Sequence, residues 1–174
     1  NVALQGGGIE HEATTCTSSP QRCGSATVSD TTFQSNTTTA FGGGGFEAQH
    51  NDSSTPLCPT STQATCQLVG GAHSTLTRDT FVGNAAMTEG GGAANFGTMA
   101  VGDSTFVNNR IIGTSIGDDG GAGIQTTGPL TVSQSTFSAN TSQYGANIHT
   151  YEDGPTDVAN GVAPTVGVST SIIS

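Results

Sequence analysis

The chain contains no lysine and no tryptophan, only three arginines (Arg22, Arg78 and Arg110), and aromatic residues at just 5% of its 174 positions. Each shortage excludes something. A nucleic-acid surface neutralises phosphates with Lys and Arg. Here 13 carboxylates face three such cations, for a formal charge of -10, so nucleic acid is excluded as a partner and anionic membrane surfaces are disfavoured. No apolar run approaches the roughly 20 residues a spanning helix needs, so no membrane insertion is expected. Polysaccharide lyases need a basic residue to take a proton and cations to neutralise a uronate. The charge balance and the lack of Trp stacking platforms turn the reading away from a lyase or hydrolase, and no enzymatic activity is expected.

Charged residues are only 9% of the chain, while Gly numbers 26. Such a composition is shared with disordered segments. What separates this sequence from them is the regular placement of its apolar residues, which form two alternating elements. The first is Phe-X-X-Asn: Phe33 to Asn36, Phe81 to Asn84, Phe106 to Asn109 and Phe137 to Asn140. A Ser/Thr/Asp stretch precedes each Phe, and an alternating pair such as Met99/Val101 or Leu130/Val132 lies further upstream. The second element is a glycine run ending in an apolar residue: Gly6-Gly7-Gly8-Ile9, Gly43-Gly44-Gly45-Phe46, Gly90-Gly91-Gly92-Ala93, Gly121-Ala122-Gly123-Ile124 and Gly145-Ala146-Asn147-Ile148.

The spacing is constant where nothing intervenes: 13 residues from Ala93 to Phe106, and 13 again from Ile124 to Phe137. From Ile9 to Phe33 it is 24, and from Phe46 to Phe81 it is 35. The two excesses contain the four cysteines, Cys16/Cys23 and Cys58/Cys66, each pair bracketing a polar, Pro-containing stretch. We expect two local disulfides that staple insertions rather than the repeat, formed in an oxidising compartment. Inserted loops are expected at about 13–26, 49–74, 110–119 and 150–162 of a single domain spanning 1–174.

Short alternating segments such as Leu130-Thr131-Val132 favour strands, and glycine runs would destabilise a helix by roughly 1 kcal/mol per residue. The reading is therefore all-β: a right-handed parallel β-helix (β-solenoid) of about five coils with disulfide-closed loop insertions. Its shortest coil, Phe81 to Phe106, has 25 residues, a length expected for three faces. Phe33, Phe81, Phe106, Phe137 and Ile173 should stack as an internal ladder. Asn36, Asn84, Asn109 and Asn140 should satisfy backbone groups of their own and the next coil. Glycine is expected to supply the tight corners and positive φ values.

Phe-X-X-Asn alternating with Gly-Gly-X-Ile resembles the repeat of chlamydial polymorphic outer-membrane proteins and related right-handed parallel β-helix proteins. The resemblance covers nearly the whole chain apart from the stapled insertions. It implies a β-helix on the cell exterior with an adhesive or structural role.

The ends carry the functional expectation. Val168 falls on Val132 and Ile173 on Phe137, so the final segment halts in mid-repeat. Asn1 stands five residues before Gly6, as Asn140 does before Gly145, and so occupies the Asn slot. The start, read without Met or leader pattern, is taken as a mature or trimmed product. Two arrangements give such matching ends: protomers stacked head to tail into a filament, or a stretch of a longer β-helix. The assembly residues would be Asn1, Gly6, Gly7, Gly8, Ile9, Val166, Val168, Ile172 and Ile173, and the partner the chain itself. The alternative is an adhesin-like surface module that binds glycan or protein through its loops.

Glu10-His11-Glu12 reads as a solvated strand face. Asp118-Asp119 and Glu152-Asp153 could hold a loose Ca²⁺ but read as solvated turns, so no metal or cofactor is expected. Three sequons, at Asn36, Asn51 and Asn140, support an extracellular location and covalent glycans. Asn51 is the best acceptor, because an Asn turned into the ladder cannot carry a glycan. Ice binding is set aside for want of regular Thr-X-Thr rungs, with loops expected to interrupt the stack.

Overall fold

A computed structural model describes residues 1–12, 24–40, 42–49, 72–113, 120–143, 145–150 and 165–174. They form nineteen strands and no helix among the described residues. The chain winds through five coils, and every neighbouring strand pair is parallel. The first coil comprises β1 (Val2–Ala3), β2 (Ile9–Glu12), β3 (Ser25–Ser29) and β4 (Thr32–Gln34). The second comprises β5 (Thr37–Thr38), β6 (Phe46–Gln49), β7 (His73–Thr77) and β8 (Thr80–Val82). The third runs β9 (Ala85–Ala86), β10 (Ala93–Asn95), β11 (Thr98–Gly102) and β12 (Thr105–Val107). The fourth runs β13 (Arg110–Ile111), β14 (Ile124–Thr126), β15 (Leu130–Ser133) and β16 (Thr136–Ser138). The fifth holds β17 (Ile148–Thr150), β18 (Val166–Ser169) and β19 (Ile172–Ile173). Equivalent strands stack into four sheets, here A to D: β1-β5-β9-β13, β2-β6-β10-β14-β17, β3-β7-β11-β15-β18 and β4-β8-β12-β16-β19.

The parallel β-helix of five coils is as expected, but each full coil has four strands, not three. The extra strand is the two-residue sheet A, which is too short to show alternation. Several strand residues also lie inside the expected loops: Ser25 and Ala26, Gln49, His73 and Ser74, Arg110 and Ile111, and Thr150. The two expected disulfides, Cys16 with Cys23 and Cys58 with Cys66, are not shown. Cys16, Cys23, Cys58 and Cys66 all lie outside the described residues, with most of the remaining loop positions. The described coils therefore hold together through strand pairing and packing, with no cysteine among them.

Register explains the repeat. Phe33, Phe81, Phe106 and Phe137 are consecutive partners across sheet D, with Ile173 above them. Their rings stack nearly parallel, with centroids 4.6, 4.4 and 4.7 Å apart. Ile9, Phe46, Ala93, Ile124 and Ile148 line up in the same way across sheet B. The core is filled by these columns together with Leu76, Met99, Val101, Leu130 and Val132 from sheet C.

Glycine's role differs from the expectation. A Cβ on Gly44 would lie 2.3 Å from the Gly91 carbonyl oxygen, and one on Gly92 would lie 2.6 Å from that of Gly123 and 2.8 Å from the Phe106 ring. The runs mainly let successive coils approach across the loop entering sheet B, and positive φ is confined there to Gly6, Gly42 and Gly90. The regular left-handed corners use other residues. Asp30, Arg78, Asp103, Gln134 and Thr170 form one column of positive φ between sheets C and D. Ser35, Gly83, Asn108 and Ala139 form the next, between sheets D and A.

Candidate functional site

The Asn column is the most completely bonded polar feature of the interior. Asn84 Oδ1 accepts from the Asn36 backbone N–H at 3.0 Å and from Asn36 Nδ2 at 3.2 Å. Asn84 Nδ2 donates to the Phe33 carbonyl at 2.9 Å and to Asn109 Oδ1 at 3.0 Å. Asn109 and Asn140 repeat the pattern one and two coils on. Asn1 sits in the same slot, and its Nδ2 donates to Asn36 Oδ1 at 3.0 Å. At the opposite end Asn140 Nδ2 also donates to Asn147 Oδ1 at 2.9 Å, and Asn147 Nδ2 reaches the Ser174 carbonyl at 3.3 Å. Each buried side chain thus satisfies backbone groups that a corner would otherwise leave without partners.

This bonding decides two of the sequons. Asn36 and Asn140 are 5% and 4% exposed, and their amide nitrogens are committed to the ladder, so neither is positioned to carry a glycan. After expression in a glycosylating host, peptide mapping by mass spectrometry should find both unmodified. A glycan on either would contradict the buried ladder at that coil. Asn51 lies outside the described residues, as do the carboxylates Asp118, Asp119, Glu152 and Asp153.

A second interior column went unread in the sequence: Thr31, Asp79, Ser104, Ser135 and Ser171. The backbone N–H of each residue in the first four coils donates to the side-chain oxygen of the next. The hydroxyls of Thr31, Ser104, Ser135 and Ser171 donate to the carbonyl two residues back. The signal was present in the Ser/Thr/Asp stretch before each Phe. Asp79 is the exception. Its carboxylate accepts from the Thr31 and Thr77 backbone N–H groups at 2.9 and 3.0 Å, and burial pushes its pKa above the usual aspartate range, a rise those two bonds partly offset.

The sign follows. A carboxyl whose folded-state pKa is raised contributes most stability below its unfolded pKa, and that contribution is lost as pH rises through the folded value. Asp79→Ser gives this coil the hydroxyl that Ser104, Ser135 and Ser171 supply elsewhere. The variant should gain stability relative to wild type as pH rises from below the unfolded aspartate range through the raised folded-state value, read as the difference in urea midpoints. A difference that does not change with pH would show that Asp79 does not titrate as its burial demands.

The possible catalytic groups do not converge. His11 Nδ1 lies 3.1 Å from Ser74 Oγ, but Ser74 is buried toward the core and 3% exposed. No carboxylate orients the other His11 nitrogen among the described residues. Burial, with His73 nearby, holds the His11 pKa below its ordinary value. Glu10 pairs with Glu47 across sheet B. Glu47 is buried, accepting from the Gly6 N–H at 2.8 Å. No group of three or more metal-ligating side chains occurs among the described residues.

The expected assembly residues lie on two opposite edges of the stack. The first coil exposes Val2 (75%), Leu4 (72%) and Ile9 (39%); the fifth exposes Val166, Val168, Ile172 (65%) and Ile173 (48%). Ile173 occupies the Phe slot, Val168 the Val132 slot, Val166 the Leu130 slot and Ile9 the Phe46 slot, so these four belong to columns that are buried in the middle coils. Ile172, by contrast, continues the outward Thr136 column, and Val2 the column that ends in exposed Arg110. The long segments 13–24, 50–72 and 151–165 all join sheet B to sheet C, so three insertions leave the rod at one corner. The segment 112–123, between β13 and β14, leaves at the corner joining sheet A to sheet B. No family model, curated protein or solved structure matches the chain.

Proposed function

We propose that the chain is an extracellular structural β-helix module whose end coils pair coaxially with a second copy, building a head-to-tail fibre without catalysis. The observation that carries this reading is the exposure of ladder residues at both edges. Ile9 on one side and Val166, Val168 and Ile173 on the other are exposed members of buried columns, with apolar Val2, Leu4 and Ile172 exposed beside them. Among the described residues, strands β2 to β4 and β17 to β19 each leave one edge without a strand neighbour. Open parallel edges with apolar slots are templates for further strands. The contact is heterologous, so it propagates rather than closes. The sequence pairs Cys16/Cys23 and Cys58/Cys66, the Asn51 sequon and the resemblance to surface β-helix repeats support an oxidising, extracellular setting.

Negative-stain electron microscopy of the purified chain across a concentration series tests it. Unbranched fibres with an axial repeat near about 24 Å, five coils at about 4.8 Å each, are expected. Ile173→Lys with Ile9→Lys, which puts like charges on the exposed ladder positions of both ends, should abolish the fibres and leave the fold intact. Monomers at every concentration would overturn the reading.

The convergence of three insertions on one corner favours a second reading, an adhesin-like module that presents those segments to a glycan or protein. Deleting residues 52–70 would then remove binding to the target surface while leaving fibre formation unchanged.

A further inference from the structure

The outer faces of sheets C and D differ from the rest of the surface in three ways. First, they are uninterrupted. Residues 25–34, 73–82, 98–107, 129–138 and 165–174 are five ten-residue rungs in unbroken register. The expectation that insertions break the stack therefore fails on this side, because every insertion leaves at a corner flanking sheet B.

Second, the outward positions carry hydroxyls in columns. Thr32, Thr80, Thr105 and Thr136 are successive partners on sheet D, and Ile172 ends their column. On sheet C, Thr27 and Thr75 pair directly, and Thr131 continues their column beyond Ala100. Beside it run Ser29, Thr77, Gly102, Ser133 and Ser169. The seven threonines of the two main columns make no side-chain hydrogen bond among the described residues, so their hydroxyls face solvent.

Third, no outward position on either sheet is Asp, Glu, Lys, Arg, Phe or Tyr. Charge is confined to the left-handed corner between the sheets. There Arg78 pairs bidentately with Asp30 at 2.7 and 2.6 Å, leaving Asp103 as the remaining charge.

We propose that this face binds crystalline water, the threonine columns of sheets C and D docking on an ice surface. A lattice ligand demands fixed spacing. Parallel register sets successive hydroxyls about 4.8 Å apart, and a β-branched side chain is stiff at χ1. The array is thus ordered before binding, with little side-chain entropy left to lose. Alternating methyl and hydroxyl groups restrict first-layer water and also anchor it by hydrogen bonds. Carboxylates, lysines and arginines, which impose their own hydration shells, are absent from the flat faces, where His73 at the margin of sheet C is the one ionisable side chain among the described residues. A carbohydrate is the poorer occupant, since no aromatic ring or carboxylate points outward to hold a sugar.

The face runs along the sides of the coils rather than across their end edges, and it is tested separately from end-to-end stacking. Partition of the full chain into slowly grown ice, and thermal hysteresis in its presence, should exceed those of an equimolar inert globular protein. Thr75→Tyr with Thr105→Tyr, both on the outer face, should reduce both readouts several-fold with circular dichroism and thermal midpoint unchanged. Met87→Lys, exposed away from these sheets, should leave them intact. Exclusion of the wild-type chain from ice, or full activity in the double tyrosine variant, would overturn the proposal.

Discussion

Replacing Phe106 with alanine is expected to destabilise the fold by about 3–5 kcal/mol, the range for removing a fully buried aromatic ring. Phe106 has no exposed surface and lies between two rings, 4.4 Å from Phe81 and 4.7 Å from Phe137, with interplanar angles of 4° and 2°. Each aromatic pair contributes about 0.5–1.5 kcal/mol beyond its buried area, and the substitution deletes both. The cavity has little means of closing. Parallel hydrogen bonding fixes the coil spacing, and the glycine that meets the ring, Gly92, has no side chain to move in. Phe33→Ala is the internal control. Its ring stacks on Phe81 alone, meets Phe46 edge-on, and belongs to the first coil, so its loss should be smaller. Urea denaturation of both variants gives the comparison. A Phe106 loss below about 1 kcal/mol, or an effect equal to that of Phe33, would mean that the column is not a continuous stack.

The two ladders were legible in the sequence because each slot makes one demand on one side chain, and the chain meets it four times over. A phenylalanine must fill the lumen of sheet D, and an asparagine must offer both a donor and an acceptor to the next coil. The left-handed corners were not legible, for the opposite reason. Asp30, Arg78, Asp103, Gln134 and Thr170 share a backbone conformation and no side-chain property. Glu47 and Gln125 were hidden differently. They lie on the side of sheet B opposite Phe46 and Ile124, where alternation assigns them to solvent, yet they are 1% and 3% exposed. The glycine loops fold over them, with the Gly6 and Gly121 N–H groups donating to their side chains at 2.8 and 3.0 Å. The uninterrupted face also depended on register, because only strand pairing shows that the insertions share sheet B's flanks. Spacing alone counts the extra residues without saying which side of the rod they leave.

Replacing Asn109 with leucine, close to it in size but unable to bond, is expected to cost about 1–3 kcal/mol, the figure for one buried backbone group left without a partner. That group is the Asn84 N–H, which donates to Asn109 Oδ1 at 3.0 Å, and the Phe81 carbonyl also loses the bond it accepts from Asn109 Nδ2 at 2.9 Å. Asn84 Nδ2 retains its bond to the Phe33 carbonyl, so the damage is confined to one junction between coils. Asn109→Asp separates bonding from packing. It keeps the acceptor for Asn84 but turns the donor into a carboxylate oxygen facing the Phe81 carbonyl and Asn140 Oδ1, in a slot with no exposure. Burial without a cation disfavours the charged form, so the carboxyl's folded-state pKa should rise above its unfolded value. The stability of Asn109→Asp should then be greatest below the unfolded aspartate range, where the protonated acid again donates to Phe81, and fall as pH rises through the folded pKa. Asn109→Leu has no proton to regain and should remain destabilised at every pH relative to wild type. If acid restored both variants equally, or neither, the Asn column would be filling space rather than satisfying the backbone between coils.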